Sequence, residues 1–332
     1  MATVDPAEVA ADLAALRSGV AVAAETGRCL LVVTGADRAS FLQGMLTNEV
    51  AKLAPGQGCR ALLLDEQGHV VAEMGVLVRP QEILLDVARS LAERVRAALD
   101  RFVVADDVEF AESVSLPVIV RGPGAPRALA AAGGASDGPD EATLAALAPG
   151  AHAALSGAGP IAVREAVGGF LAWAPDAGSA AGLLGALRDA GAREVSPAAL
   201  EVDRVARGLP REGVDLDEKT LAPEVPAFAA AISFRKGCYL GQEIVERVAA
   251  RGKVNWLVTG LRAAAGPGLP EPGAVVTQDG REVGRVSSVV RLPGVEGIAM
   301  LARIRREAAE SGAGLRVSAG GEEIEVVRAG RE

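Results

Sequence analysis

From about residue 254 to the C-terminus the chain reads as short apolar runs punctuated by Gly and Pro, and this stretch limits the possible folds most. The runs fall at 254–261, 274–277, 282–290, 297–304 and 322–327, and Asp279-Gly280 between two of them is a hairpin-turn signal. The expectation is a small all-β barrel. The segment RAAAGPGLPEPG (262–273) is read as a loop inside or beside that barrel, because a strand pattern precedes it.

The preceding residues have a different texture. RCLLVVT (28–34) is a buried strand, followed by a helix over 38–48 that Asp37 is expected to cap, with Phe41, Leu42, Met45 and Leu46 inward. Runs at 61–65 and 70–78 joined by EQGH form a hairpin, in which His69 is a turn residue, and 83–87 gives a third strand. A helix is expected from Ser90 with Glu93 completing a capping box, and Leu91, Val95, Ala98, Leu99 and Phe102 share one face. A strand over 116–121 leads into 122–159, which is rich in Gly, Ala and Pro and has a short helix near 127–132. Two strands over 161–173 break at Gly168-Gly169. Helices cover 179–189 and 197–207, the second with Ser196 as N-cap and Pro197 at the first helical position. The class is α+β, mixed sheets with helices followed by the barrel.

Composition excludes several functions. The 332 residues are 50% hydrophobic but only 3% aromatic, so Ala, Val and Leu must fill the core. A net charge of −9 disfavours general binding to DNA or anionic membrane, and no direct nucleic-acid binding is expected. No stretch approaches about 20 consecutive apolar residues, so no membrane helix is expected. Residues 1–12 carry Asp5, Glu8 and Asp12 and no basic leader, which points to a cytoplasmic protein. Cys29, Cys59 and Cys238, with His69 and His152, form no CxxC or HxxxH pattern. A disulfide framework, a zinc site and a four-cysteine cluster built by one chain are all disfavoured.

The most specific stretch is Lys236-Gly237-Cys238-Tyr239-Leu240-Gly241-Gln242-Glu243. A thiol here follows a Lys and a Gly in a Gly-flanked polar segment. Glycines permit a sharp chain path and close approach of a ligand. Lys236 and Arg235 would raise the thiolate fraction, and Tyr239, Gln242 and Glu243 would make a polar lining. A reactive or ligating thiol fits this pattern, and so does a small buried hydrophobe.

KGCYLGQE resembles the signature of the YgfZ-type folate-binding family, relatives of the glycine-cleavage aminomethyltransferase (T protein). GADRASFLQGMLTNEV (35–50), PGQGCRALLLDEQGHVVAEMGVLV (55–78) and ARGLPREGVDLDEKTLAPEV (206–225) resemble other blocks of that family. The resemblance implies a three-domain aminomethyltransferase-like ring. In it, residues 1–50 with 115–250 form a discontinuous folate-binding core, 51–114 an inserted α+β domain, and 251–332 the barrel. It implies tetrahydrofolate or a one-carbon derivative as ligand, and iron–sulfur client or assembly proteins as partners. It makes Cys238 the functional thiol, with Lys236, Gly237, Tyr239, Gly241, Gln242 and Glu243 around it, and support of tRNA modification indirect.

A pterin needs a carboxylate or amide at its edge and apolar walls, and its glutamate tail suits Arg or Lys. Candidates are Glu201, Asp203 and Glu212 before the signature, and Arg235, Lys236, Arg247 and Arg251 around it. Where the aminomethyltransferase has a Y-T-G-E-type segment this chain reads REAVGGF (164–170). That departure speaks against glycine cleavage and leaves folate-dependent one-carbon transfer as the alternative function. Trp173 and Trp256 are expected as core or interface anchors.

Overall fold

The computed structural model describes residues 5–133, 138–156, 159–252, 254–264, 268–293, 297–311 and 314–329. Three sheets organise them. The first is six-stranded and mixed, ordered Arg193–Glu194, Ala21–Ala24, Leu116–Arg121, Phe170–Ala174, Ile161–Arg164, His152–Ala154. The second has five antiparallel strands, ordered Gly58–Leu64, Val70–Val78, Ile83–Ala88, Arg28–Thr34, Glu109–Glu112. Arg28–Thr34, which the sequence division groups with 115–250, thus pairs with Ile83–Ala88.

The third sheet is the expected closed barrel, six antiparallel strands running Trp256–Ala263, Ile298–Arg305, Arg281–Arg291, Val275–Gln278, Leu315–Ala319, Glu322–Arg328 and back to the first. Its turn at Asp279-Gly280 has φ of +50° and +74°, the mirror-image turn that a right-twisted hairpin needs. The strand Leu315–Ala319 and the short helix Arg306–Ser311 before it are additions to the sequence reading.

Local signals set most helix ends. Ser196 accepts from the amide of Ala199 and Pro197 opens the helix Pro197–Ala206. Asp176 caps Ala177–Asp189, and Asp5 caps Pro6–Ser18, a helix absent from the sequence reading. Two expected caps do not form. Asp37 makes no cap bond to Arg38–Met45, because its carboxylate accepts instead from the amide of Asp107, 2.9 Å away. That helix also ends at Met45 rather than 48. The Ser90–Glu93 box gives way to a 3₁₀ turn over Arg89–Leu91 followed by the helix Ala92–Asp100, and Glu93 pairs with Arg96. The Gly- and Ala-rich 122–159 stretch holds helices Ala125–Gly133 and Glu141–Ala145 among its described residues.

The sheets share a core. One buried cluster draws Leu30, Leu77 and Leu84 from the second sheet, Ile119, Leu171 and Trp173 from the first, and Val290, Ala299 and Leu301 from the barrel. Burial of about 1.5–3 kcal/mol for each large side chain makes this junction a main source of cohesion between the three units. A backbone crossing adds to it. A Cβ on Gly58 would sit 2.4 Å from the carbonyl oxygen of Gly150, and one on Gly150 2.7 Å from that of Gly58, so glycine is required on both sides.

Candidate functional site

Two places collect the chemically notable residues. The first is the segment carrying Cys238. Lys236 is buried, and its ammonium donates to the carbonyl oxygens of Gln43 (2.6 Å), Leu46 (2.5 Å) and Asn48 (2.9 Å). These carbonyls lie at and just beyond the end of the helix Arg38–Met45, where backbone acceptors lack helical partners and a cation is favoured. Burial pulls the Lys236 pKa down to about 8, so the ammonium persists at neutral pH. The clamp is reinforced by Thr47, which donates to the carbonyl of Ala231 at 2.7 Å and accepts from the amide of Leu62 at 2.8 Å. Asn48 donates to Arg60 and Ala230 carbonyls, and the amide of Leu240 donates to Gly44. The FLQGMLTN and KGCYLGQE blocks therefore interlock through backbone carbonyls and amides.

Tyr239 is the second inward anchor. Its ring lies 5.3 Å from the Lys236 ammonium, and burial pushes its hydroxyl up to about 12. Gly241 starts the helix Gln242–Arg251 at φ +77°, where a Cβ would stand 2.5 Å from the carbonyl oxygen of Asp65. Gln242 accepts from the amide of Tyr239 and donates to Glu246. Phe234, Arg235, Gly237, Cys238 and Glu243 are exposed. The structure corrects the sequence reading in two respects. Lys236 directs its three N–H groups to carbonyls rather than standing free beside the thiol, and Tyr239 is a buried anchor rather than a polar lining. Of the alternatives open for Cys238, the buried hydrophobe falls away. Cys29 is buried, and burial pushes Cys59 up to about 12.

The second place is a cavity of about 720 Å³, partly open to solvent, between the strand Val70–Val78, the loop 212–218 and the barrel. Val70, Val71, Leu91, Leu216, Trp256 and Val286 give it apolar walls. Its arginines are Arg94, Arg285 and Arg303. A bulge in the barrel strand Arg281–Arg291 fixes the loop. Ser287 is the extra residue there, and the register shift lets both Ser287 (2.6 Å) and Ser288 (2.7 Å) donate to one oxygen of Asp215. Arg204 holds the other oxygen at 2.7 Å. Arg303 ties the barrel to Asp217 at 3.0 Å and Glu224 at 2.9 Å. Trp256 stands at the cavity wall with the guanidinium of Arg305 4.3 Å from its ring centre.

Glu212 lies within electrostatic reach of a set of paired charges. Glu212 accepts from the backbone amide of Glu73, and Glu73 pairs with Arg60. Arg28 bonds Asp86 at 2.6 Å; burial works against its charge, but Asp86 together with Glu73 and Glu165 holds its pKa above the ordinary arginine value. Arg121 holds Glu165 with two bonds of 3.0 and 3.1 Å. Asp203 pairs with Arg207 at 2.9 Å, leaving its second, buried oxygen without a hydrogen bond. Burial raises Glu212 to about 7.

Of the sequence candidates, Glu212 lines the cavity. Asp203, Arg235, Lys236, Gly237, Cys238, Tyr239, Gly241, Gln242 and Glu243 do not. Glu201 is engaged by Arg204 and Arg211. The side chain of Arg251 lies outside the described residues. His69 lies just past the turn at 66–67, where it bridges to Leu221, and its ring is 2.9 Å from the Asp65 carboxylate. Arg94, Arg285, Arg303 and Trp256 share no spacing along the chain, so nothing local in the sequence groups them.

Residues 5–226 match the family model described as the GCVT N-terminal domain. The chain belongs to the GCVT family. An aminomethyltransferase of Frankia alni is 30% identical over 288 residues, covering 82% of this GCVT-family chain and 75% of that protein. An aminomethyltransferase of Geobacillus kaustophilus is 28% identical, covering 89% and 81%. A chloroplastic putative transferase of Arabidopsis thaliana is 26% identical, covering 84% and 64%. The solved glycine cleavage system aminomethyltransferase T from Bartonella henselae superposes with a TM-score of 0.85 at 18% identity, over 97% of this chain and 88% of that one. The mixed α+β aminomethyltransferase-like fold with its C-terminal barrel is thereby shown. Among the described residues no helix is long and apolar enough to cross a membrane.

Proposed function

We propose that this GCVT-family protein is a YgfZ-type folate binder that holds a tetrahydrofolate in the cavity beside the barrel and presents Cys238 on its surface as an accessory in iron–sulfur cluster assembly or repair. The observation that carries the reading is the build of the KGCYLGQE segment, where Lys236 and Tyr239 are buried anchors and the thiol between them faces solvent.

The cavity residues fit a folate. A pterin and its aminobenzoate ring are flat and apolar on their faces, which suits Val71, Leu91, Leu216, Trp256 and Val286. The glutamate carboxylates suit Arg94 and Arg285, both well exposed (44% and 58%) in weak surface pairs with Glu218 and Glu282. A bound tetrahydrofolate would supply one-carbon chemistry at its reduced ring. This chain's residues would bind it, orient it and exclude water from its faces. A cytoplasmic setting and iron–sulfur client proteins belong to the same proposal and rest on the sequence character and the signature.

The second reading is folate-dependent aminomethyl transfer, favoured by the names of the Frankia and Geobacillus relatives. Two assays separate them. In a deletion strain, the accessory reading expects wild-type protein to restore [4Fe–4S] enzyme activity and Cys238→Ala not to. With purified protein, the transferase reading expects tetrahydrofolate and an aminomethyl donor to yield methylene-tetrahydrofolate. Full restoration by Cys238→Ala together with such turnover would replace the first reading by the second.

A further inference from the structure

Among the cavity's acids, Glu212 is set apart by its partners. Asp215 is held by Arg204, Ser287 and Ser288, Asp217 by Arg303, Glu218 by Arg94 and Glu282 by Arg285. Glu212 accepts the backbone amide of Glu73, and no described Lys or Arg stands in ion-pair contact with it. Two observations fix its position. Its carboxylate is anchored to the strand Val70–Val78, and its loop is bridged by the Glu212–Leu216 pairing. It therefore reaches the cavity from a rigid wall.

We propose that Glu212 reads the N–H edge of the bound heterocycle, and that ligand entry expels the proton from its carboxyl group into solvent. This rests on the folate reading of the cavity and adds a residue and a proton to it. A 2-amino-4-oxo-pyrimidine edge offers adjacent N–H donors, which a carboxylate accepts and a carboxylic acid cannot accept as a pair. In the free protein the surroundings favour the neutral acid. Burial disfavours a charge on it, and the carboxylate of Glu73 repels a second negative charge. The hydrogen bond from the Glu73 amide, together with Arg28 and Arg94, acts in the opposite sense without overcoming burial. Arg28 is already bonded to Asp86, and Arg60 to Glu73. Arg211 of the same loop pairs with Glu201, while Arg285 and Arg303 of the barrel hold the acids named above. Among the described residues no cation pairs directly with Glu212, so the partners of its ionised form arrive with the ligand N–H groups.

The test is anaerobic calorimetric titration of the full chain with tetrahydrofolate near pH 6, repeated in buffers of small and large ionisation heat. The wild type is expected to release about one proton per ligand bound, falling toward zero above pH 8. Glu212→Gln, which keeps the shape but has no proton to lose, is expected to release none and to bind about tenfold or more weakly. Saturable binding without proton release in the wild type, or equal release from Glu212→Gln, overturns the inference and leaves the folate reading standing. No binding by the wild type overturns both.

Discussion

The ammonium of Lys236 lies 2.5 Å from the carbonyl oxygen of Leu46, across 190 residues of sequence. With the carbonyls of Gln43 and Asn48 it closes a three-acceptor cap that joins the two most distinctive blocks of the chain. Cys238 stands two residues on, outside the cap.

Replacing Lys236 by Met removes all three donors and leaves their acceptors in a half-buried site. A loss of about 2–4 kcal/mol in urea unfolding is expected. Lys236→Arg is expected to recover little, since a planar fork cannot aim at three converging oxygens as a tetrahedral ammonium does. An unchanged midpoint in either variant would show that the cap is not a structural element.

The two glycines of the signature should respond differently. Gly241→Ala meets a positive φ and the carbonyl of Asp65 at 2.5 Å. A cost of about 1–3 kcal/mol is expected. Gly237 has no neighbour within 4 Å of a Cβ and no positive φ, so Gly237→Ala should change the thermal midpoint little. Comparable losses in both would contradict the geometry.

The three thiols are expected to react in a fixed order. Cys238 is exposed, whereas Cys29 is buried and Cys59 is pushed up to about 12 by burial. Brief iodoacetamide treatment of the native protein, followed by peptide mass mapping, should label Cys238 about tenfold or more ahead of the others. Earlier labelling of Cys59 would require a different arrangement around Lys236.

Much of this site was legible, and the parts that were not share one cause. Ser196 with Pro197, Asp279-Gly280 and the hairpin turn at Asp65 are decided within a few residues, and sequence shows them. Asp37 failed as a cap because Asp107, 70 residues away, supplies its donor. The signature stood out as a pattern. That Lys236 points inward and Cys238 outward depends on carbonyls about 190 residues earlier. The cavity is harder still, since Val71, Leu91, Glu212, Trp256 and Arg285 meet only when the barrel packs against the loop, and the bulge at Ser287 that fixes this contact has no local signal.

Glu212 also makes a prediction for the free protein. Its folded pKa, about 7, lies above the ordinary 4.5. Between these values the folded state holds a proton that the unfolded chain has lost, so stability falls as pH rises from about 4.5 to about 7 and is level beyond. The shift corresponds to a cost of roughly 3 kcal/mol at neutral pH. Denaturant unfolding across this range should show wild type losing stability relative to Glu212→Gln. Parallel pH profiles would mean that Glu212 titrates normally.

The measurement that bears most directly on the central claim is anaerobic calorimetry with tetrahydrofolate, wild type beside the double variant Arg94→Glu, Arg285→Glu. Both arginines are largely exposed, so the fold should tolerate reversal. Saturable binding by the wild type, weakened about tenfold or more in the variant, is the predicted result. No binding by the wild type, or equal binding by both, would contradict a folate in this cavity.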